Sequence, residues 1–276
     1  MGINIIACVK SVINNILPGS NRSSSENMQL NPFDRPPIEL ALSLIKEHEG
    51  ILTVLSMGPK PATFGIYQAI SMGANRGILI CDTALKESDT YITAIVLGRA
   101  LKRLQPFDLV LFGTRSSDSD TGHVGPQTAQ MLNIPFVGNV HSLVLNQVEN
   151  NKMEKGGLVE RNYWTVERKA DGYVERFEVQ VQNGTGAAFS VNSAFGVSDF
   201  TSLYGIETAF GNQNIEFWDN AALGLKPEET GLIASPTKII AWNREKRSKR
   251  CLFIDGTPEQ KAEQLAQKLS EAGFVG

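Results

Sequence analysis

The residues able to do chemistry gather in one stretch: Gly113, Thr114, Arg115, Ser116, Ser117, Asp118, Ser119, Asp120, Thr121, Gly122, His123 and Val124. It follows an apolar run and leads through Gly125 and Pro126 into a helical pattern. A helix N-terminus with unpartnered N–H groups and small hydroxyl side chains nearby is an anion site. The backbone of Thr121, Gly122 and Val124 can offer N–H groups to a phosphate, and glycine permits close approach. Asp118 and Asp120 would repel a phosphate if aimed at it; capping loop amides, meeting a ribose hydroxyl or meeting a metal are the roles open to them. Arg115 faces either a phosphate or solvent. His123 has no nucleophile or oriented carboxylate at a usable spacing, so a hydrogen-bonding or phosphate-facing role is preferred to catalysis. By composition alone, an ordinary β-to-α loop reads the same way.

The elements that must position this stretch alternate between two periods. Apolar runs at 3–9, 51–56, 77–81 and 108–113 have the length of buried parallel strands. Helical patterns fall between them. In the first, over 33–48, Ile38, Ala41, Leu42 and Ile45 form one stripe, opened by Asn31 and Pro32 and ended by Gly50. Pro36 and Pro37 fit a helix in its first turn, so the regular part can begin as late as Pro36. Further helices are expected over 61–72, from a Ser88 cap to Leu104, and over 125–132. Residues 14–31 read as a loop. This is the βαβ signature of a doubly wound, mostly parallel α/β sheet. Two further segments then lie at strand ends where such sheets bind ligands, Cys8-Val9-Lys10 and Ser56-Met57-Gly58-Pro59.

Beyond Val140 the pattern changes. Residues 140–148, 158–168 and 172–182 alternate apolar and polar with turn residues between them, an antiparallel excursion. Residues 187–190 return to the main sheet, 192–214 have no clean period and read as an arm, and 238–242 and 251–255 read as late strands. Thr257-Pro258-Glu259-Gln260 spells a capping box for a last helix.

A net charge of -3 over 276 residues argues against nucleic acid as a partner. The basic run 244–250 is either a solvated loop or a partner contact. Cys8, Cys81 and Cys251 are odd in number, lie in apolar stretches and lack metal-binding spacing, which suits buried, reduced thiols in a cytoplasmic or matrix-like compartment. The opening lacks the features of a signal peptide, and no apolar run approaches a membrane span. GxxxxGK[ST] and GxSxG motifs are absent, and the first strand is not followed by GxGxxG.

Several segments in order resemble the β subunit of electron-transfer flavoproteins: Cys8-Val9-Lys10; Asn31, Pro32, Phe33 and Asp34; Ser56 to Pro59; Ala69 to Arg76; Asp108 to Gly113; Asp118 to Pro126; Val166-Glu167-Arg168; and Asp171-Gly172. The resemblance spans about residues 3–180. It implies a fold related to adenine-nucleotide α-hydrolase-like domains, a partner α subunit holding the electron-carrying FAD, and AMP or a second FAD bound in this subunit. Carried over by residue, the site is Cys8, Asn31 to Asp34, Met57 and Gly113 to Val124. The backbone at Cys8 and Met57 would read the adenine edge, and the loop through Val124 would hold phosphate.

The resemblance also implies electrons arriving from a flavin dehydrogenase, such as an acyl-CoA dehydrogenase, and leaving to a membrane quinone oxidoreductase, without membrane insertion of this chain. The alternatives are an electron-bifurcating protein using NADH and a stand-alone adenine-nucleotide-binding protein. Asn183 to Gly186 stands where the family has Leu-Pro, and Asp199 to Ile206 replaces the family's Pro-Arg and lysine-rich docking sequence. Leu203 and Tyr204 are the candidate docking anchors. The expected organisation is a nucleotide-binding domain over 1–190, a docking arm over 191–214, and a segment over 215–276 that completes the fold and contacts the α subunit.

Overall fold

The computed structural model describes residues 2–13, 28–148, 153–154, 157–158, 161–181, 185–194, 201–211, 214–238, 240–241 and 251–274. The chain forms two compact units, Met1–Lys238 and Ile239–Gly276.

The first unit is built on a nine-stranded sheet. In chain order its elements begin with β1 (Ile3–Val9), β2 (Ser11–Ile13), β3 (Met28–Leu30), α1 (Arg35–His48), β4 (Gly50–Met57), α2 (Thr63–Met72), β5 (Arg76–Ile80), α3 (Thr90–Arg103), β6 (Leu109–Gly113) and α4 (Val124–Leu132). They continue with β7 (Phe136–Val148), β8 (Met153–Glu154), β9 (Gly157–Leu158), β10 (Arg161–Ala170), β11 (Tyr173–Gln180), β12 (Ala187–Val191), α5 (Leu203–Gly211), β13 (Ile215–Trp218) and α6 (Gly231–Ala234). The order across the sheet is β11-β10-β7-β12-β6-β1-β4-β5-β13. From β12 to β13 the strands are parallel, and β7, β10 and β11 form the antiparallel excursion.

Alternate residues of the parallel strands feed two cores. Ile5, Ala7, Leu52 and Val54 pack with Ile38, Ala41 and Leu44 of α1 and Ile66 and Ala69 of α2. Ile6, Leu55, Ile78 and Ile80 pack with Val96, Leu97 and Leu101 of α3 and Ala129 of α4. Helices on both faces leave these strands no solvated side, which is why they read as continuous apolar runs. The doubly wound sheet and its antiparallel excursion are as the sequence pattern implied.

Several boundaries differ for identifiable reasons. Asp89 caps α3, its carboxylate accepting from the Ile92 amide at 2.9 Å, whereas the Ser88 hydroxyl turns back to the Leu85 carbonyl. Pro36 and Pro37 lie in the first turn of α1, where no intrahelical N–H is lost. That helix ends at Glu49, whose φ of 56° breaks it one residue before Gly50 opens β4. Part of the expected loop 14–31 is strand, because β3 pairs with β2; residues 14–27 lie outside the described residues.

Strand β7 starts at Phe136. It runs parallel to β12 before turning at Asn139, where φ is 62°, into the antiparallel excursion. Residues 203–211 of the supposed aperiodic arm form α5, and β13 adds an edge strand that the pattern had not marked. Among the described residues of 238–242 and 251–255 there is no strand, since none finds a pairing edge. Of the thiols, Cys8 is buried, Cys81 half-buried and Cys251 exposed, which corrects the expectation of three buried ones.

The second unit contains α7 (Pro258–Glu271), opened by the reciprocal capping box of Thr257 and Gln260. The basic run 244–250 lies outside the described residues.

Candidate functional site

Successive strands step from β1 through β4 to β5, and the chain then crosses back to lay β6 on the other side of β1. Strand order therefore reverses between β1 and β6, the position at which open α/β sheets hold ligands beyond their carboxyl ends. The register aligns Cys8 with Phe112, so Lys10 and the loop after Gly113 leave the sheet side by side. The turn between β3 and α1 completes the group, since the Asn31 amide donates to the Lys10 carbonyl at 2.9 Å. Met57 ends β4, the other neighbour of β1.

Specific polar contacts knit these segments together. The buried Asp34 carboxylate accepts from the Lys10 backbone N–H at 2.7 Å. Asn31 reaches the loop, its Nδ2 donating to the Arg115 carbonyl at 2.9 Å and its Oδ1 accepting from the Ser117 amide at 3.1 Å. The Lys10 ammonium meets the Asp118 carboxylate at 2.7 Å. Arg115 lies over the Phe33 ring, 4.5 Å from its centroid, and pairs with Asp120 at 3.0 Å. Both loop carboxylates thus face bases rather than the helix N-terminus behind them. Lys10–Asp118 is about half exposed, so its worth is at most about 1 kcal/mol.

The electrostatics follow from burial. Burial pushes the Asp34 carboxyl up to about 7, against the Lys10 amide, Asn31 and the Lys10 charge, which favour ionisation; the Asp118 charge adds to the rise. Partial burial also pushes Asp118 up, but the Lys10 hydrogen bond and charge, together with Ser116, outweigh it and hold that carboxyl below its ordinary value. Burial, then the Asp34 charge, raises the Cys8 thiol, whose side chain packs in the core under α3. Such a thiol is inert, so only the Cys8 backbone is available to a ligand.

Two glycines show how tightly the backbone is placed. A Cβ on Gly113 would overlap Asp34 Oδ1 and come within 2.6 Å of the Phe33 carbonyl oxygen. Gly122 has a φ of 66°, and a Cβ there would lie 2.9 Å from the Thr114 carbonyl oxygen. Beyond it, His123 makes no side-chain cap to α4. The first-turn amides of Val124 and Gly125 therefore have no partner within the helix, and Pro126 has none to offer.

This combination fits an anionic group such as a phosphate. The loop 114–123 is largely open to solvent and its acidic groups are occupied. The N-terminus of the nine-residue α4, with no side-chain cap from His123, carries the positive end of the helix dipole beside this loop. Ser56, before Met57, is fully buried with no partner for its Oγ among the described residues.

The structure thus brings Cys8, Asn31, Pro32, Phe33, Asp34 and the loop 113–124 to one switch point, with Met57 one strand away. Lys10 reads from the sequence only as part of a strand end. Its link to Asp118 joins residues 108 apart, and no local pattern signals it. Asn31 was read as a helix-opening residue, yet its side chain makes no cap and goes to the loop instead. A concavity lined by Gly2, Asn4, Glu49, Ile51 and Arg76 sits at the opposite, amino ends of the strands; its Arg76 is already paired with Glu216. Leu203 and Tyr204 lie elsewhere, on α5, 86% and 78% exposed.

The family model described as "Electron transfer flavoprotein domain" matches residues 23–182, more than half of the chain. The chain is 30% identical over 246 residues to an electron transfer flavoprotein subunit beta of Thermoanaerobacterium thermosaccharolyticum, covering 89% of this chain and 87% of the relative. It is 32% identical over 249 residues to the caffeyl-CoA reductase-Etf complex subunit CarD of Acetobacterium woodii, with 89% and 87% covered. It is 30% identical over 249 residues to protein FixA of Azotobacter vinelandii, with 87% and 83% covered.

Proposed function

The chain belongs to the electron transfer flavoprotein family, in its β-subunit and FixA branch, and from that premise we propose that it is one half of a heterodimeric electron carrier that binds AMP structurally at the β1–β6 switch point. The observation that carries the nucleotide reading is the loop 113–124, fixed by Asn31 and Lys10 with its carboxylates paired and α4 opening without a side-chain cap. The backbone at Cys8 and Met57 would meet the adenine edge, and residues 121–125 would hold phosphate. FAD on the α subunit would supply the redox chemistry, accepting electrons from a dehydrogenase and passing them on. This chain's residues bind and orient, and none is assigned a bond-making role. The apolar side chains of α5, Leu203 and Tyr204, would dock the flavin dehydrogenase. The segment 215–276 would contact the α subunit, and a membrane quinone oxidoreductase would be the acceptor. Among the described residues no helix is long and apolar enough to cross a membrane.

A second reading, FAD in this subunit and bifurcation from NADH, has the Asp118-x-Asp120-Thr121 spelling in its favour. One experiment separates the two. The purified heterodimer is denatured and the released nucleotides are identified by chromatography. One AMP and one FAD per dimer is expected, two FAD supports the second reading, and a stable dimer with no nucleotide beyond a single FAD overturns the site.

A further inference from the structure

The turn carrying Asn31 and Asp34 belongs by resemblance to the nucleotide's surroundings, yet its polar groups are spent on the protein. Asn31 is 1% exposed. Its carboxamide grips the loop backbone on both sides of Ser116, donating to the Arg115 carbonyl and accepting from the Ser117 amide. It also supports the Asp34 carboxylate, which is itself turned to the Lys10 amide. Two main-chain amides of the turn are engaged as well: Asn31 N–H donates to the Lys10 carbonyl and Asp34 N–H to the Asn31 carbonyl. An amide has two donors and one acceptor oxygen, and here each end has a protein partner.

Resting on the nucleotide reading above, we infer that Asn31 is a positioning residue: it holds 115–117 in place before any ligand arrives, so that the loop beyond Asp120 is already ordered for the phosphate. Loop residues 115–117 belong to no strand, and Asn31 supplies the donor and acceptor that a neighbouring strand would otherwise provide. The Lys10–Asp118 pair closes the same ring from the solvent side with a half-exposed contact. The buried carboxamide is therefore the stronger of the two restraints. Removing it leaves a carbonyl and an amide of the loop without partners, and the loop is expected to loosen as a unit. A preorganised loop binds without the cost of ordering itself, so loosening by itself weakens binding.

The test uses the full heterodimer and reads two quantities for Asn31→Ala and Asn31→Asp. The first is hydrogen exchange at the Asp120 amide in dimer stripped of nucleotide. That amide bonds the Ser116 carbonyl at 2.9 Å and has no direct bond to Asn31, so it reports the loop rather than the deleted contact. The second is the rate of AMP release. The expected result is Asp120 exchange and AMP release each faster by about tenfold, with FAD content near that of the parent and a melting temperature lowered by the lost buried hydrogen bonds, while core-strand amides stay protected. Asn31→Asp, which keeps the acceptor for Ser117 and loses the donor to Arg115, is expected to show an intermediate effect. Lys10→Ala should change both quantities less than Asn31→Ala. Faster AMP release with unchanged exchange in the stripped dimer would mean that Asn31 acts through a ligand contact alone, and would overturn the inference. Unchanged exchange and release, or faster exchange without faster release, would also overturn it. A parent dimer that neither contains nor binds AMP would sink the nucleotide reading instead, and the exchange measurement would still decide whether Asn31 holds the loop.

Discussion

Two regions of this chain are rich in residues that function could use, and they are organised in opposite ways. At the β1–β6 switch point the polar side chains turn inward and pair: Asp34 with the Lys10 amide, Asn31 with the loop, Asp118 with Lys10 and Asp120 with Arg115. What remains open there is backbone. On α5 the apolar side chains turn outward, with Leu203 and Tyr204 in solvent while Ala209 reaches the core and Phe210 stacks on Tyr67 of α2 at 4.7 Å. A site prepared for a small anion hides its side-chain charges and presents N–H groups. A surface prepared for a protein presents large side chains that little else in its own fold restrains. Substitutions should accordingly cost stability in the first region and leave it nearly untouched in the second.

The largest contrast is expected between two glycines. Gly113→Ala drives a methyl into Asp34 and the Phe33 carbonyl, and should cost about 3 kcal/mol in urea unfolding. Gly211→Ala, at the end of α5, has nothing within 4 Å of the new methyl and should be neutral or stabilising by up to about 1 kcal/mol. Equal effects would break the comparison. Next in size, Gly122→Val forces a β-branched residue into a left-handed conformation against Thr114, and should lower AMP affinity at least about tenfold. Asp120→Ala, which frees Arg115, should lower it less. Full nucleotide content in both variants would show that the loop does not hold phosphate.

A pH experiment sharpens the first region further. The Asp34 carboxyl sits near 7 when folded and near its ordinary value of about 3.9 when unfolded. Between about pH 4 and pH 7 the folded chain keeps a proton that the unfolded chain has lost, so this group's contribution to stability falls as pH rises through that window and is flat above it. Asn at position 34 stays neutral and can still accept from Lys10. The parent should therefore lose stability relative to Asp34→Asn on going from about pH 4 to pH 7, as followed by urea unfolding; parallel curves would contradict the burial of an ionisable Asp34. The smallest stability effect belongs to the second region. Replacing Leu203 and Tyr204 together by Ala should leave stability within about 0.5 kcal/mol. If α5 docks the dehydrogenase, the same variant should slow electron transfer by about tenfold in stopped-flow kinetics.

The two regions also differed in how well the sequence announced them. The strand-end segments were legible because strands buried on both faces are unbroken apolar runs, so their ends fall where Lys10, Met57 and Gly113 stand. The glycine-bearing loop before α4 could be read from composition. Its restraints could not, since Lys10 meets Asp118 and Asn31 meets Arg115 across 108 and 84 residues. Helix α5 escaped notice because it buries one small residue, Ala209, and so shows no core-facing stripe. Strand β13 is four residues long at a sheet edge, with Phe217 exposed and Trp218 buried, too short to establish a period. Asp89 rather than Ser88 caps α3 because the Ser88 hydroxyl is drawn to Leu85 first, a choice between adjacent capping residues that sequence does not resolve.

The central claim is that an adenine nucleotide sits at the β1–β6 switch point. The most direct measurement is photolabelling of the purified, nucleotide-stripped heterodimer with azido-AMP, followed by mass spectrometry of its peptides. Protectable label on peptides containing Cys8 to Lys10, Met57 or the loop 113–124 is the predicted result. Label that AMP competes away, but that falls entirely outside those segments, would contradict it.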